Sequence, residues 1–342
     1  MTRPFLTHIS PMSIRNELDK YVAGQDEAKK VLSILAYNHQ MRLYHCLNKR
    51  FDMPSTEIEP PRLVGLITGA TGTGKTLLVE TLAKILDYPY IKIDATQLSR
   101  PGYSGEDIYD WLNTLCTSVA GHIKEDYIDR AIIFIDEIDK LGHKSASNQS
   151  DDHNRDLQHT ILSVVDGTKV SHTRKVLDTS KMLFIFGGAF ENIYKERDNK
   201  RQGMGFKGET TTSSGVYTKD LKREEIEGAG IIRELLGRMH VITHTNKLSK
   251  EEIKKVLMEV QDNLLGQFEA IFHLSENDTP VGYEKAIDGI VDKLYDDNNY
   301  GMRLVKTMLF DYFKEHLYHL DCDMKTQVDI AKEMVKEEDL KK

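Results

Sequence analysis

The chain has 342 residues, a formal net charge of −8, 39% apolar residues and 29% charged residues. That is material for about two domains with a sizeable core, while no run approaches the roughly 18 apolar residues of a membrane span and the opening Met1-Thr2-Arg3-Pro4 starts no apolar leader. Cys46, Cys116 and Cys322 are too few and too dispersed for a disulfide scaffold or a four-cysteine zinc site, so a cytoplasmic location is expected; net acidity argues against wholesale coating of nucleic acid.

Residues 1–20 are mixed in character. Gly24 to Leu43 reads as a helix, because Ala28, Val31, Leu32, Leu35 and Ala36 fall on one face. A polar stretch from about 45 to 62, broken by Pro54, Pro60 and Pro61, leads into the apolar run Leu63 to Ile67, which stops at Gly69. A helix is expected over Leu77 to Leu86, and a short strand around Ile91 and Ile93. Ala131 to Ile135 is almost wholly apolar, as a strand buried on both faces must be. Met182 to Phe186 reads the same way, and Val241-Ile242 closes the series. Helices are expected between them at Glu106 to Val119 and Asp156 to Val165. Strand–helix alternation over this length means a mostly parallel α/β sheet.

Two stretches interrupt the rhythm. Residues 143–156 are polar, and 191–229 are rich in Gly, Lys, Glu and Thr with almost no periodicity, so they read as a long functional or mobile loop. From about 247 the pattern turns helical. Ser249-x-x-Glu252 matches a capping box, and Ile253, Val256, Leu257, Val260, Leu264 and Phe268 line a helical stripe. Further helices are expected around 283–295 and 301–319, before a Lys/Glu-rich tail.

The chemistry is concentrated after the first strand. Gly69-Ala70-Thr71-Gly72-Thr73-Gly74-Lys75-Thr76 fits G-x-x-x-x-G-K-[ST] between a predicted strand and a predicted helix, the context that phosphate binding requires. Glycines let backbone N–H groups wrap phosphates, and the helix running on through Leu77 points its positive end at them. Lys75 is expected to reach the β- and γ-phosphates of ATP, and Thr76 to ligate Mg2+. Ile132-Ile-Phe-Ile-Asp136-Glu137 ends a buried strand in two carboxylates beside that loop. Asp136 is expected to hold Mg2+, directly or through water, and Glu137 to polarise an attacking water. ATP hydrolysis is the implied reaction.

The phosphate loop is accompanied, in order, by Tyr21-Val22-Ala23-Gly24-Gln25, Asp94-Ala-Thr-Gln-Leu, Gly102-Tyr103-Ser104-Gly105-Glu-Asp107, Phe134-Ile-Asp-Glu-Ile-Asp-Lys140 and Phe184-Ile-Phe-Gly-Gly-Ala-Phe190. From about Leu18 to Leu320 this order resembles the ClpX-type AAA+ unfoldases. The resemblance implies an AAA+ P-loop NTPase domain with a mostly parallel sheet, followed by a small, mainly helical C-terminal domain. It divides the chain into an arm, adenine-side segment and linker at 1–62, a large α/β domain at 63–246, a small helical domain at 247–322 and a charged tail at 323–342.

By the same resemblance Val22 and Ala23 lie beside the adenine. Gly237-Arg238 looks like the arginine finger that reaches a neighbouring subunit's nucleotide, and Tyr300-Gly-Met-Arg303 like the small domain's sensor-2 motif. The β-strand ending at Phe184 to Phe190 has no Asn or Thr for the usual sensor-1 role. Gly102-Tyr103-Ser104-Gly105 is similar to the Gly-Tyr-Val-Gly pore loop, with Ser104 in place of valine. His172, Arg174 and Lys175 form a basic patch at the second pore loop. Gly203-Met204-Gly205-Phe206 resembles the Ile-Gly-Phe loop that docks on the ClpP peptidase ring, with methionine for isoleucine.

The implied protein is a homo-hexameric, ATP- and Mg2+-dependent unfoldase that threads polypeptide through a central pore into a ClpP-type peptidase. It would not bind nucleic acid or membranes, and it would lack the family's four-cysteine zinc domain, since nothing but a short arm precedes residue 12. A non-proteolytic remodelling chaperone working without ClpP is the alternative. A nucleic-acid motor would want a basic lining in place of Tyr103. A binder with dead chemistry is disfavoured because Lys75, Asp136, Glu137 and Arg238 are all present.

Overall fold

The computed structural model describes residues 10–50, 58–99, 107–119, 128, 130–142, 148–172, 175–203, 220–261, 263–274, 283–296 and 301–318. The chain divides into two compact units, Met1–Lys247 and Leu248–Lys342. The first is an α/β body in the order α1 (Pro11–Asp19), α2 (Asp26–Arg50), β1 (Gly65–Thr68), α3 (Lys75–Leu86), β2 (Tyr90–Asp94), α4 (Ile108–Val119), β3 (Ile132–Asp136), α5 (Asn148–Gly167), β4 (Lys169–His172), β5 (Lys175–Asp178), β6 (Leu183–Gly188), α6 (Glu191–Gly203), α7 (Arg223–Gly228), α8 (Arg233–Arg238) and β7 (Val241–His244). The second is helical: α9 (Lys250–Met258), α10 (Leu264–Leu274), α11 (Tyr283–Asp296) and α12 (Val305–Tyr318).

Five strands form one sheet in the order β2-β3-β6-β1-β7, with every neighbouring pair parallel. Strand alternation sorts the side chains. Ile132, Phe134 and Ile185 face α1, α2 and α3, while Ile133, Ile135, Phe184 and Phe186 face α4, α5, α7 and α8. All of these are fully buried, which explains why β3 and β6 read as unbroken apolar runs. The expected α/β class, a mostly parallel sheet followed by a helical region, is the one found. The expected strands at Leu63–Ile67, Ile91–Ile93, Ala131–Ile135, Met182–Phe186 and Val241-Ile242 all have their counterparts.

Several elements differ from expectation. The stretch 191–229 is not one long irregular loop. It begins as α6 and returns as α7, with residues 204–219 outside the described ones. Among its described side chains α6 buries Ile193 and Tyr194, too few to register as periodicity, and Arg197 fastens it to α7 through both oxygens of Glu225, Nε to Oε1 at 2.8 Å. α5 starts at Asn148, inside the polar stretch 143–156. α1 forms where the sequence looked mixed: Ser10 caps it, accepting from the Ser13 N–H at 3.1 Å, and Pro11 sits in its first turn. The antiparallel hairpin of β4 and β5 was also unforeseen.

In the second unit the Ser249–Glu252 capping box forms as expected, with both reciprocal bonds present. The stripe from Ile253 to Phe268 is not one helix. It breaks after Met258 because Asn263 starts α10 afresh, its Oδ1 accepting from the Gly266 N–H at 2.6 Å. The helix expected over 301–319 opens as a 3-10 turn, Gly301–Leu304, before α12. Lys250–Asp292 at 2.6 Å and Lys254–Asp288 at 2.8 Å tie α9 to α11. No helix among the described residues is long and apolar enough to cross a membrane.

Candidate active site

The loop from Gly69 to Gly74 joins the C-terminal end of β1 to the N-terminus of α3. Gly72 and Gly74 hold φ of +81° and +93°. Gly69, at φ +145°, is required for a second reason: a Cβ there would come within 2.2 Å of the Thr245 hydroxyl oxygen and 2.7 Å of its carbonyl. Thr245 follows β7 and its hydroxyl shares a hydrogen bond with the Thr73 hydroxyl at 2.6 Å, while the Thr73 hydroxyl donates to the Ala70 carbonyl at 2.8 Å. The loop is therefore braced from β7 as well as from its own ends.

Lys75 opens α3 almost fully buried, and its Nζ donates to the Gly69 carbonyl at 2.6 Å and the Ala70 carbonyl at 3.0 Å. Its neighbour Thr76 donates from Oγ1 to Oδ2 of Asp136 at 3.1 Å. Asp136 ends β3, and its Oδ1 accepts from the Glu137 N–H at 3.0 Å. Glu137 has a φ of +58°, a left-handed backbone that a non-glycine residue adopts only where its surroundings hold it. The Thr76 hydroxyl and Asp136 carboxylate are hard oxygen donors brought to one point, the donor chemistry that fits Mg2+. Among the described residues no cluster of three or more His, Cys, Asp or Glu forms a separate metal centre.

The absence of a polar residue at the tip of β6 has a packing cause. A Cβ on Gly187 would lie 2.7 Å from Oδ1 of Asp136 and 2.6 Å from Phe134, so the carboxylate fills the space a side chain would need. Asp139, buried in the turn after Glu137, accepts from the N–H groups of Ala189 at 3.0 Å and Phe190 at 3.3 Å, locking the end of β6 to the acidic turn.

Val22 and Ala23 are buried in the α1–α2 connection, with Val22 in the core that α3 shares. Gln25, which follows them, is a site residue that motif reading passed over. It is buried, has φ +59°, and its Nε2 donates to the Thr73 carbonyl at 3.1 Å and the Asn246 carbonyl at 2.8 Å. Its Oε1 accepts from the Asn246 N–H at 2.8 Å. A single amide thus joins the α1–α2 connection, the phosphate loop and the segment after β7. Only the preceding Gly24, itself at φ +63°, hinted at a special turn there.

The remaining expected site residues lie elsewhere. Leu77 is half-exposed on α3. Arg238 ends α8 and forms a bidentate pair with Asp166 of α5, which raises its pKa. Arg303 is exposed in the 3-10 turn of the second unit. Lys175 opens β5 opposite His172, at the tip of the β4–β5 hairpin. Tyr103, Ser104, Arg174, Met204, Gly205 and Phe206 lie outside the described residues.

A parallel sheet with a phosphate loop after its first strand and an Asp-Glu pair closing β3, one strand removed from β1 across β6, defines a nucleotide-hydrolysing AAA fold. Consistently, the family model described as AAA domain (Cdc48 subfamily) matches residues 61–242. The chain is 32% identical over 330 residues to the ATP-dependent Clp protease ATP-binding subunit ClpX of Borrelia duttonii, covering 91% of this chain and 74% of that protein. It is 34% identical over 325 residues to that of Treponema denticola, covering 88% and 76%, and 34% identical over 277 residues to ClpX 2 of Wolinella succinogenes, covering 77% and 66%. The chain belongs to the ClpX family of AAA+ ATPases. It is an ATPase.

Proposed function

We propose that the chain is one subunit of a homo-hexameric, ATP-driven protein unfoldase that threads polypeptide through a central pore and feeds a ClpP-type peptidase in the cytoplasm. The observation that carries this reading is the convergence of Lys75, Thr76, Asp136 and Glu137 at one sheet edge, in a chain similar to ClpX subunits over nine-tenths of its length.

In the proposed reaction the N–H groups of Gly69 to Leu77 and the positive end of α3 receive the phosphates. Lys75 exchanges the carbonyls of Gly69 and Ala70 for β- and γ-phosphate oxygens. Thr76 and Asp136 would hold Mg2+, which when bound neutralises charge on those oxygens. Glu137 orients a water for in-line attack and accepts its proton. Val22 and Ala23 flank the adenine. Arg238, on an exposed helix end, supplies a guanidinium to the nucleotide of the adjacent subunit, where charge develops on the transferred group, and Arg303 serves as the second such cation. Tyr103 and Ser104, with the basic Arg174 and Lys175, grip the polypeptide. Met204-Gly205-Phe206 presents an apolar plug to the peptidase ring.

The test is ATP-dependent degradation of a tagged, folded protein, with and without an added ClpP-type ring. Degradation that needs both ATP and the ring is expected, and replacing Met204 and Phe206 together should abolish it while sparing ATPase. Unfolding without any stimulation of the peptidase would instead establish the remodelling chaperone. Failure to unfold at all, with ATPase intact, would refute the proposal.

A further inference from the structure

Asp136 carries a second cation contact that the phosphate-loop motif does not call for. Lys92 of β2 places its Nζ 3.1 Å from Oδ2, the same oxygen that accepts from Thr76. The register explains the reach. Lys92 lies opposite Phe134, and Asp136 is two residues further along β3 on the same face, so the pair is diagonal across adjacent strands, within the span of a long side chain. The carboxylate is nearly buried at 11% exposure, whereas the lysine side chain is 43% exposed and can leave. Asp94, directly opposite Asp136, is turned to its own backbone, with Oδ1 accepting from the Thr96 N–H at 2.9 Å and the Thr96 hydroxyl at 2.6 Å. Lys92 is thus a cation that Asp136 holds.

We propose that Lys92 is a resident counter-ion of Asp136 that the divalent cation must displace, and that it thereby sets the Mg2+ concentration at which this subunit holds nucleotide. The proposal rests on the reading of Thr76 and Asp136 as the residues that would hold Mg2+. With both donors in place, the lone pairs of Oδ2 are taken up by the hydroxyl proton and the ammonium. Making that oxygen available requires Thr76 to turn its proton away and Lys92 to swing toward solvent. The ammonium also repels a divalent cation at short range, so its presence raises the metal requirement twice, by occupying the oxygen and by adding positive charge. In return it keeps a nearly buried carboxylate paired when no metal is bound.

The experiment measures binding of a fluorescent ADP analogue by anisotropy, as Mg2+ is titrated at fixed nucleotide, for the full chain and its Lys92→Met and Lys92→Arg variants. Half-saturating Mg2+ should fall about twofold to fivefold in Lys92→Met, in line with one partly exposed charge pair, and stay near wild type in Lys92→Arg. Affinity in EDTA should change less than about twofold, the spread expected of a contact that does not touch phosphate. In an Asp136→Asn background, Lys92→Met should have no further effect. An unchanged Mg2+ midpoint in Lys92→Met overturns the proposal. So does a large loss of affinity in EDTA, which would make the lysine a phosphate ligand. A wild-type chain that binds no nucleotide at any Mg2+ level overturns the site itself, and the proposal with it.

Discussion

Replacing Gln25 tests whether one buried amide holds the nucleotide site to the end of the first unit. Gln25→Ala removes two donated bonds and one accepted bond, and leaves the Thr73 carbonyl and the backbone N–H and C=O of Asn246 without that partner. Each neutral bond is worth about 1 kcal/mol net, and a stranded buried group about 1–3 kcal/mol. Water entering the space offsets part of this, so a loss of about 2–4 kcal/mol is expected. The left-handed backbone at residue 25 is equally unfavourable for Gln and Ala and cancels in the difference. For a unit of this size the midpoint should fall by roughly 5–15 °C. Trp111 is the chain's one tryptophan and packs on the core of the first unit, so its fluorescence reports that unit. The sharper comparison is Gln25→Glu, which keeps the shape but turns an oxygen toward the carbonyls of Thr73 and Asn246. At pH 8 it should be less stable than Gln25→Ala. It should recover as pH falls, because protonation restores one donor and burial raises the carboxyl pKa. A Gln25→Glu variant as stable as the alanine variant at pH 8 would refute the donor roles assigned to Nε2.

Lys75→Met should abolish nucleotide binding, whereas Glu137→Gln should bind nucleotide normally and lose about 100-fold or more in turnover, measured by equilibrium binding beside phosphate release. Doping wild type with Glu137→Gln or Arg238→Ala subunits should reduce ATPase more than dilution explains; strictly proportional loss would exclude catalysis across a subunit boundary. Burial holds His39 neutral, with its pKa lowered from 6.5 to about 3 despite a contact to the Arg130 carbonyl. Because the unfolded chain takes a proton that the folded state refuses, stability from this group is complete above pH 6.5 and declines as pH falls toward 3. By pH 5 the loss is about 2 kcal/mol, and His39→Gln should flatten the acid limb of denaturation curves by that amount.

The central sheet was legible because strands buried on both faces must be apolar throughout, as Ile132 to Ile135 and Leu183 to Phe186 are. The phosphate loop was legible because its glycines and lysine are adjacent in sequence, Gly69 to Thr76. Elements held by a few specific contacts were not. Among the side chains described, β4 and β5 bury Val170 and Leu177, and α6 buries Ile193 and Tyr194 and pairs Arg197 with Glu225. Neither leaves a periodic trace. The supporting residues of the site were hidden for a related reason. Gln25, Thr245, Asp139 and Lys92 act on groups 48, 172, 50 or 44 positions away, and a motif records only neighbours in sequence. Asp139 stands within the acidic motif, yet its bonds to Ala189 and Phe190 arise only because β6 lies beside β3.

These hidden partners share a logic that bears on how the site responds to nucleotide. Each cation of the first unit that the proposed chemistry would direct at phosphate, or that sits where metal is needed, already has an anionic or carbonyl partner in the same chain. Lys75 rests on the Gly69 and Ala70 carbonyls, Lys92 on Asp136, and Arg238 on Asp166. None is stranded, so the site can stand without ligand and without the desolvation penalty of unpaired buried charge. Nucleotide binding is then an exchange of partners in place of a simple neutralisation. Exchanges of this kind release as well as form contacts, and the released groups sit on different elements: the phosphate loop, the edge strand β2 and the helix pair α5–α8. Asp166 is the informative case. If Arg238 leaves it for a neighbour's nucleotide, Asp166→Asn should loosen the arginine in the isolated chain and lower the protein concentration at which ATPase becomes ring-dependent. An unchanged concentration dependence would mean that Asp166 only decorates the helix end, and that the arginine's release is not part of assembly.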